Sequence, residues 1–486
     1  MLFSIADDSA TLLLPLLCLL FAGLLTSVHS LHVSILKQKA CPQYANWARQ
    51  SDGKELSEGR YQLPFQRPSD ECRTFYSQEV EDAIERLRPK IADPDLFRLF
   101  ENAFPNTLDT AVKWKGFAWK DEQEGDSANQ ILSYLPVLQA SEDPNSLAAL
   151  FRGVINVQSR YIKITPHCHA FQPPPESGIN VEFNGAYTMN TVRMFGKLGY
   201  DQKKTISSDY YNATGDIGPF EKYLWMDTVE VILAAAEAMR TATYTPDGHI
   251  APSGYTMKGK TDRATETTSN DGIGNPVIYT GMVRSTFRPS DDATIFQYLI
   301  PSNMMFARYL EEAGLIMQRM DTQRSRDLES RMQSMASEIR AGITKYGVVS
   351  HPLFGAMFAF EVDGYGSQNA MDDANLPSLL PASMMGYVSP RDEVYMNTRL
   401  FALSEANPYW AFGNVFNAIG GPHTGPTKAW PLASIVRVLT SGDINGEEQR
   451  DELRTILRFG WANGMFGQMI LDIEARMPHI LDDSYQ

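Results

Sequence analysis

The stretch FRPSDDATIFQYLIPSNMMFARYLEEAG, residues 287–314, decides how the rest of the chain is read. Its second half, from Ala293, carries apolar residues at helical spacing and predicts a helix over 293–314. Its first half sets Asp291 and Asp292 side by side at the head of that run. Two readings of the pair compete. Ser290 or Asp291 caps the helix, where a side-chain oxygen accepts a free backbone N–H and acids suit the helix dipole. Alternatively, one of the two carboxyls handles a proton. The tetrapeptide alone does not choose, because RPSD also occurs at 67–70.

Working outward, helical patterns dominate. Val80, Ile84, Leu87 and Ile91 share a face until Pro89 interrupts. Further helices are expected over 146–162, 224–239, 327–347, 429–440, 450–459 and 461–477. The connections are rich in Gly, Pro, Asn and Asp, as in QPPPESGIN, TTSNDGIGNP, EVDGYGSQNAMDDANLP and IGGPHTGP. Paired helices with long polar loops predict an all-α toroid of helical hairpins, with the functional loops gathered at one end. No Walker loop, GxGxxG, HExxH, CxxC or GxSxG spacing occurs, so nucleotide, zinc and serine-hydrolase chemistry have no support.

The bulk properties agree with a globular chain. Of 486 residues, 43% are apolar and 21% charged. A net charge of −15 opposes binding to a phosphate backbone and suits a neutral partner such as a sugar. At the N-terminus, ATLLLPLLCLLFAGLL (10–25) followed by SVHS reads as a signal peptide over residues 1–30, hence secretion. Asp7 and Asp8 replace the usual basic residues, so an uncleaved anchor is the alternative; otherwise no stable membrane insertion is expected. Residues 31–486 then form a single domain. After cleavage Cys41, Cys72 and Cys168 remain, and Cys41 and Cys72 flank a loop-rich stretch where they are placed to pair. Asn212-Ala213-Thr214 is a glycosylation sequon.

Cleavage of a sugar linkage needs two carboxyls flanking the bond, plus polar and aromatic groups that grip the ring. The loops supply such residues. FEVDGYG carries Glu361 and Asp363, MDDANLP carries Asp372, Asp373 and Asn375, and GPHTGP carries His423. RATETTSNDG adds Arg263, Glu266 and Asp271. Each has a structural alternative, since DG and ND pairs also form turns.

The ordered motifs YQLPFQRPSDECRTF, FPNTLDT, DSANQILSYLP, RGVINVQSRYI, HAFQPPPESGI, DYYNATGD, PSGYT with RATET, FRPSDDATIFQYLIPSNMMF, FEVDGYG, MDDANLPSLLP, GGPHTG and WANGMFGQMILD resemble fungal members of glycoside hydrolase family 125. These are exo-α-1,6-mannosidases related to the meiotically up-regulated yeast proteins. The resemblance implies an (α/α)6 barrel, inverting hydrolysis of α-1,6-linked mannosides, a mannose-containing oligosaccharide as partner, and neither metal nor cofactor. It places an aspartate general acid at Asp291 or Asp292. Arg288, Glu361, Asp363, Asp373, Asn375, His423 and Asp126 become candidates for holding the sugar.

Three segments depart from the family pattern. A Trp-Leu-Arg-Asp-Ser loop is replaced by GFAWKDEQEGDSANQ, which keeps only Asp126 and Ser127. A Lys-Tyr-Glu-x-Asp-Ser helix is replaced within 180–208, a stretch of weak helical periodicity. The His-Glu-Ser loop that carries the family's general base is missing, because TILRFGWANG runs straight through. Misplaced exon boundaries explain this, as does a true paralogue that binds mannosides without cleaving them. A third reading is another exo-glycosidase on the same toroid.

Overall fold

The computed structural model describes residues 41–50, 53–112, 114, 131–164, 166, 174–179, 199–254, 256, 267–290, 292–414, 416–459 and 464–486. The expected signal peptide, Asp126, Cys168, Arg263, Glu266 and Asp291 lie outside them. Among the described residues, no helix is long and apolar enough to cross a membrane.

Helices make up the body, arranged as a ring. Ile300–Met320 packs on Gln323–Gly342 and on Gly199–Thr214. Gly199–Thr214 in turn packs on Leu147–Ile164, which meets Trp225–Ala238. Pro431–Leu439 packs on Glu447–Phe459 and Gly464–Arg476. The ring closes where Gly464–Arg476 lies against Pro94–Ala103. One apolar core runs from Phe75 to Tyr485 through these helices, so the toroid expected from the hairpins is the fold.

Local chemistry sets the turns. Asp321, at a left-handed φ of 46°, ends the Ile300–Met320 helix. Thr322 opens the next one with a capping box: its Oγ1 accepts Ser325 N–H at 3.0 Å, and Ser325 Oγ accepts Thr322 N–H at 3.0 Å. At the closure, buried Asp93 caps Pro94–Ala103 by accepting Asp95 N–H and Leu96 N–H, each at 3.0 Å. The same carboxylate accepts Tyr485 N–H at 2.7 Å and Gln486 Nε2–H at 2.8 Å, which fastens the last residues of the chain to the start of this helix. A disulfide joins Cys41 to Cys72.

Two expectations need correction. The helix expected from Ala293 starts at Ile300, with Pro301 in its first turn. Residues 293–299 are not helical: Ala293 bridges Phe287, residues 295–297 bend, and β1 (Tyr298–Leu299) pairs antiparallel with β4 (Glu361–Val362). The N-cap position is Leu299, with no side-chain cap bond, so neither Ser290 nor Asp292 caps that helix. The stretch 180–208, read as weakly helical, contributes its last residues to the Gly199–Thr214 helix. Short β elements, which the helical pattern does not announce, stand between helices: β2 (Val348–His351) with β3 (Gly355–Phe358), β4 with β5 (Gln368–Asn369), and β6 (Trp410–Ala411) with β7 (Ala418–Ile419).

Candidate active site

Three loops converge beside the N-terminal end of the Ile300–Met320 helix. The first is the tight loop 287–293, drawn closed by Arg288 N–H donating to Asp292 C=O at 2.7 Å. Within it Ser290 Oγ–H donates to Asp292 Oδ2 at 2.9 Å, so the Asp292 side chain is held in place and buried. Arg288, also buried, crosses to β4, where Nε donates to Glu361 Oε1 at 2.6 Å and Nη2 to Oε2 at 3.1 Å. This bidentate geometry fixes the plane of the guanidinium.

Glu361 is 0% exposed. Its Oε2 also accepts Ile295 N–H at 3.2 Å and Asn369 Nδ2–H at 3.3 Å. With both oxygens occupied, Glu361 orients Arg288 and has no free face for a sugar. Asp363 is likewise used locally. Its Oδ1 accepts Tyr365 N–H at 2.8 Å and Ser367 N–H at 3.0 Å, an Asx-type turn of the kind the DG pair allows.

The second loop follows β5. Asp373 Oδ1 accepts the backbone N–H and the Nδ2–H of Asn375, each at 2.9 Å. Its Oδ2 is buried and accepts no hydrogen bond among the described residues. Burial, opposed by the Asn375 bonds and the Arg288 charge, leaves the Asp373 carboxyl titrating above the ordinary carboxylate range. Asp372, one residue earlier, points the other way. It accepts Leu379 N–H at 2.8 Å and Leu380 N–H at 3.0 Å and anchors the turn behind the loop. Full burial pushes its carboxyl up to about 7.

The third loop leaves β7. Ala374 N–H donates to Gly420 C=O at 2.9 Å and ties this loop to the second. Gly421 presses on Asp373: a Cβ there would lie 2.7 Å from Oδ1 and 3.0 Å from Cγ. Beyond it, half-exposed His423 brings Nδ1 to 3.9 Å from Asp292 Oδ1.

The loops thus bring together Arg288, Asp292, Asp373, Asn375 and His423, with Glu361 behind them; Asp363 lies in its own turn. Sequence reasoning did not single out Ser290 as a holder of Asp292 or Gly421 as the wall behind Asp373. The Gly420-Gly421 pair was the available signal for close approach. Between Glu447–Phe459 and Gly464–Arg476 only residues 460–463 intervene, and these lie outside the described residues.

A helical toroid whose loop end gathers buried carboxylates around an oriented arginine is an architecture of glycoside hydrolases. The sequence profile of the metal-independent α-mannosidases (GH125) matches residues 93–458, and the chain belongs to that family. The meiotically up-regulated gene 157 protein of Schizosaccharomyces pombe is 36% identical to it, across 91% of this chain and 94% of that protein. A Streptococcus pneumoniae metal-independent α-mannosidase, solved in a non-productive complex with α-1,6-mannobiose, superposes with a TM-score of 0.70 at 25% identity. That match covers 84% of this chain and 99% of the bacterial one.

Proposed function

We propose that the junction of the three loops receives a terminal α-1,6-linked mannose and that the Asp291–Asp292 pair protonates the departing glycosidic oxygen, with inversion at the anomeric carbon. The observation that carries this reading is the convergence of Arg288 and Asp292 from one loop with Asp373 and His423 from two others. The bacterial relative solved with α-1,6-mannobiose supports the linkage. Arg288, oriented by Glu361, and the Asp373–Asn375 pair offer donors and acceptors to the sugar hydroxyls; His423 borders the entrance. Inversion needs a second carboxylate that activates water on the opposite face. The short 460–463 connection has no glutamate to supply it. That favours a second reading, a mannoside-binding protein without turnover.

Mannose release from α-1,6-mannobiose, set beside a panel of α-glucosides, tests the first reading. Release from the mannobiose alone is expected, and Asp291→Asn and Asp292→Asn, made singly, identify the acid by a loss of about 10²–10⁴-fold. Calorimetric binding with no release assigns the second reading, and preference for a glucoside overturns both. The Cys41–Cys72 disulfide supports passage through the secretory pathway; N-terminal sequencing of the secreted chain, expected to begin near Leu31, checks it.

A further inference from the structure

A cavity of about 350 Å³ lies where the helices Gly199–Thr214, Ile300–Met320 and Gly464–Arg476 meet the segments around Leu132 and Leu376. This volume falls within the range of small-ligand pockets, about 300–1,000 Å³. None of Arg288, Asp292, Asp373 and His423 lines it. Part of the lining is apolar and soft, with Met305, Tyr309, Met385 and Met465. Polar side chains share it: Asp209 and Asn212 from one helix, and Arg308 and Glu312 from the same helix as Met305 and Tyr309.

The charges in this lining do not balance. Arg308 is spent on Glu312 in an ion pair one helical turn apart. Asn212 Nδ2–H donates to the same carboxylate at 3.2 Å. Arg308 has little freedom to turn away, since Gly386 lies against its Nε; a Cβ there would come within 2.9 Å. Asp209 is left over and accepts no hydrogen bond among the described residues. Burial, and then the Glu312 charge, push its carboxyl up to about 7, against the opposing pull of Arg308. A carboxylate held in poor solvent with no donor is a cost that a cationic ligand removes. An anion meets two carboxylates and a guanidinium already engaged. A polyhydroxyl ligand finds one unengaged carboxyl and a wall of thioethers.

We propose that this cavity is a second ligand site, for a small organic ammonium whose charged head pairs with Asp209 and whose apolar body rests on Met305, Met385 and Met465, with Tyr309 offering its ring to the cation. Tyrosine faces and polarizable sulfurs suit such a body and head. The inference stands independently of the mannoside reading.

Calorimetric titration of the full chain above about pH 8, where Asp209 is ionised, with benzylammonium and with neutral benzyl alcohol as probes, tests it. Benzylammonium is expected to bind at least about tenfold more tightly, as for a buried charge pair. Asp209→Asn is expected to erase that preference. Met385→Trp, which fills the apolar side, is expected to abolish binding of both probes and provides a second test should Asp209→Asn fail to fold. Equal binding of the two probes, no binding of benzylammonium, an undiminished preference in Asp209→Asn, or retained binding in folded Met385→Trp overturns the proposal.

Discussion

Arg288 and Glu361 meet edge to edge at 2.6 and 3.1 Å, both buried, and thereby join the 287–293 loop to β4. The pair is built for orientation. Glu361→Gln removes one charge and leaves the guanidinium buried with a neutral neighbour. The expected cost is about 3–5 kcal/mol, read as a lower denaturant midpoint. Arg288→Lys is also expected to weaken mannoside binding, because an ammonium cannot reproduce the planar two-bond contact.

Gly421→Ala is expected to displace the Asp373 carboxylate, since the added methyl falls 2.7 Å from Oδ1. Overpacking of this kind costs about 1–3 kcal/mol. Affinity for α-1,6-mannobiose, measured by calorimetry, is expected to fall at least about tenfold. The helical circular-dichroism signal is expected to stay unchanged. Unaltered affinity would mean that Asp373 does not touch the sugar.

The pH dependence has a defined sign. Asp372 and Asp209 both titrate near 7 in the folded protein, from an ordinary value of 3.8, chiefly through burial. The folded state therefore holds more protons than the unfolded chain across that interval, and stability falls as pH rises through it. Denaturant titrations at about pH 5 and about pH 7.5 are expected to show the wild type losing stability on the way up. Asp372→Asn loses an acceptor for Leu379 or Leu380 and starts lower by about 1–3 kcal/mol. It also loses its share of the slope, so the gap between mutant and wild type narrows at the higher pH.

Asp93→Ala is expected to cost about 2–4 kcal/mol, from a lost helix cap together with the stranded Tyr485 and Gln486 donors. Thermal melting checks the loss. Limited proteolysis is expected to show cleavage beginning around residues 477–486.

The helical ring was legible because Leu147–Ile164, Trp225–Ala238 and Glu447–Phe459 carry clear apolar faces. Pro94–Ala103 carries such a face too, in Leu96, Leu99, Phe100 and Ala103, but it is only ten residues long and sets buried charges beside that face, Arg98 and Glu101 pairing at 3.1 Å. The helix after Asp292 was started too early because ATIFQYL is apolar in either conformation. Pro301, a first-turn residue, was the discriminating signal. Two-residue strands such as β1 and β4 are too short to show alternation, yet they set Glu361 opposite Leu299. At the site, the sequence exposed which residue types gather in loops. It did not show that Glu361 serves Arg288 or that Asp363 serves its own turn, because both depend on contacts between distant segments or on the local path of the backbone.

The bond from Ala374 N–H to Gly420 C=O makes two loops of the site a single mechanical unit. Solvent deuterium can reach that amide only when the loops part. Its exchange rate is therefore a clock for their separation, and a sugar bound between the loops is expected to slow the clock without having to be cleaved.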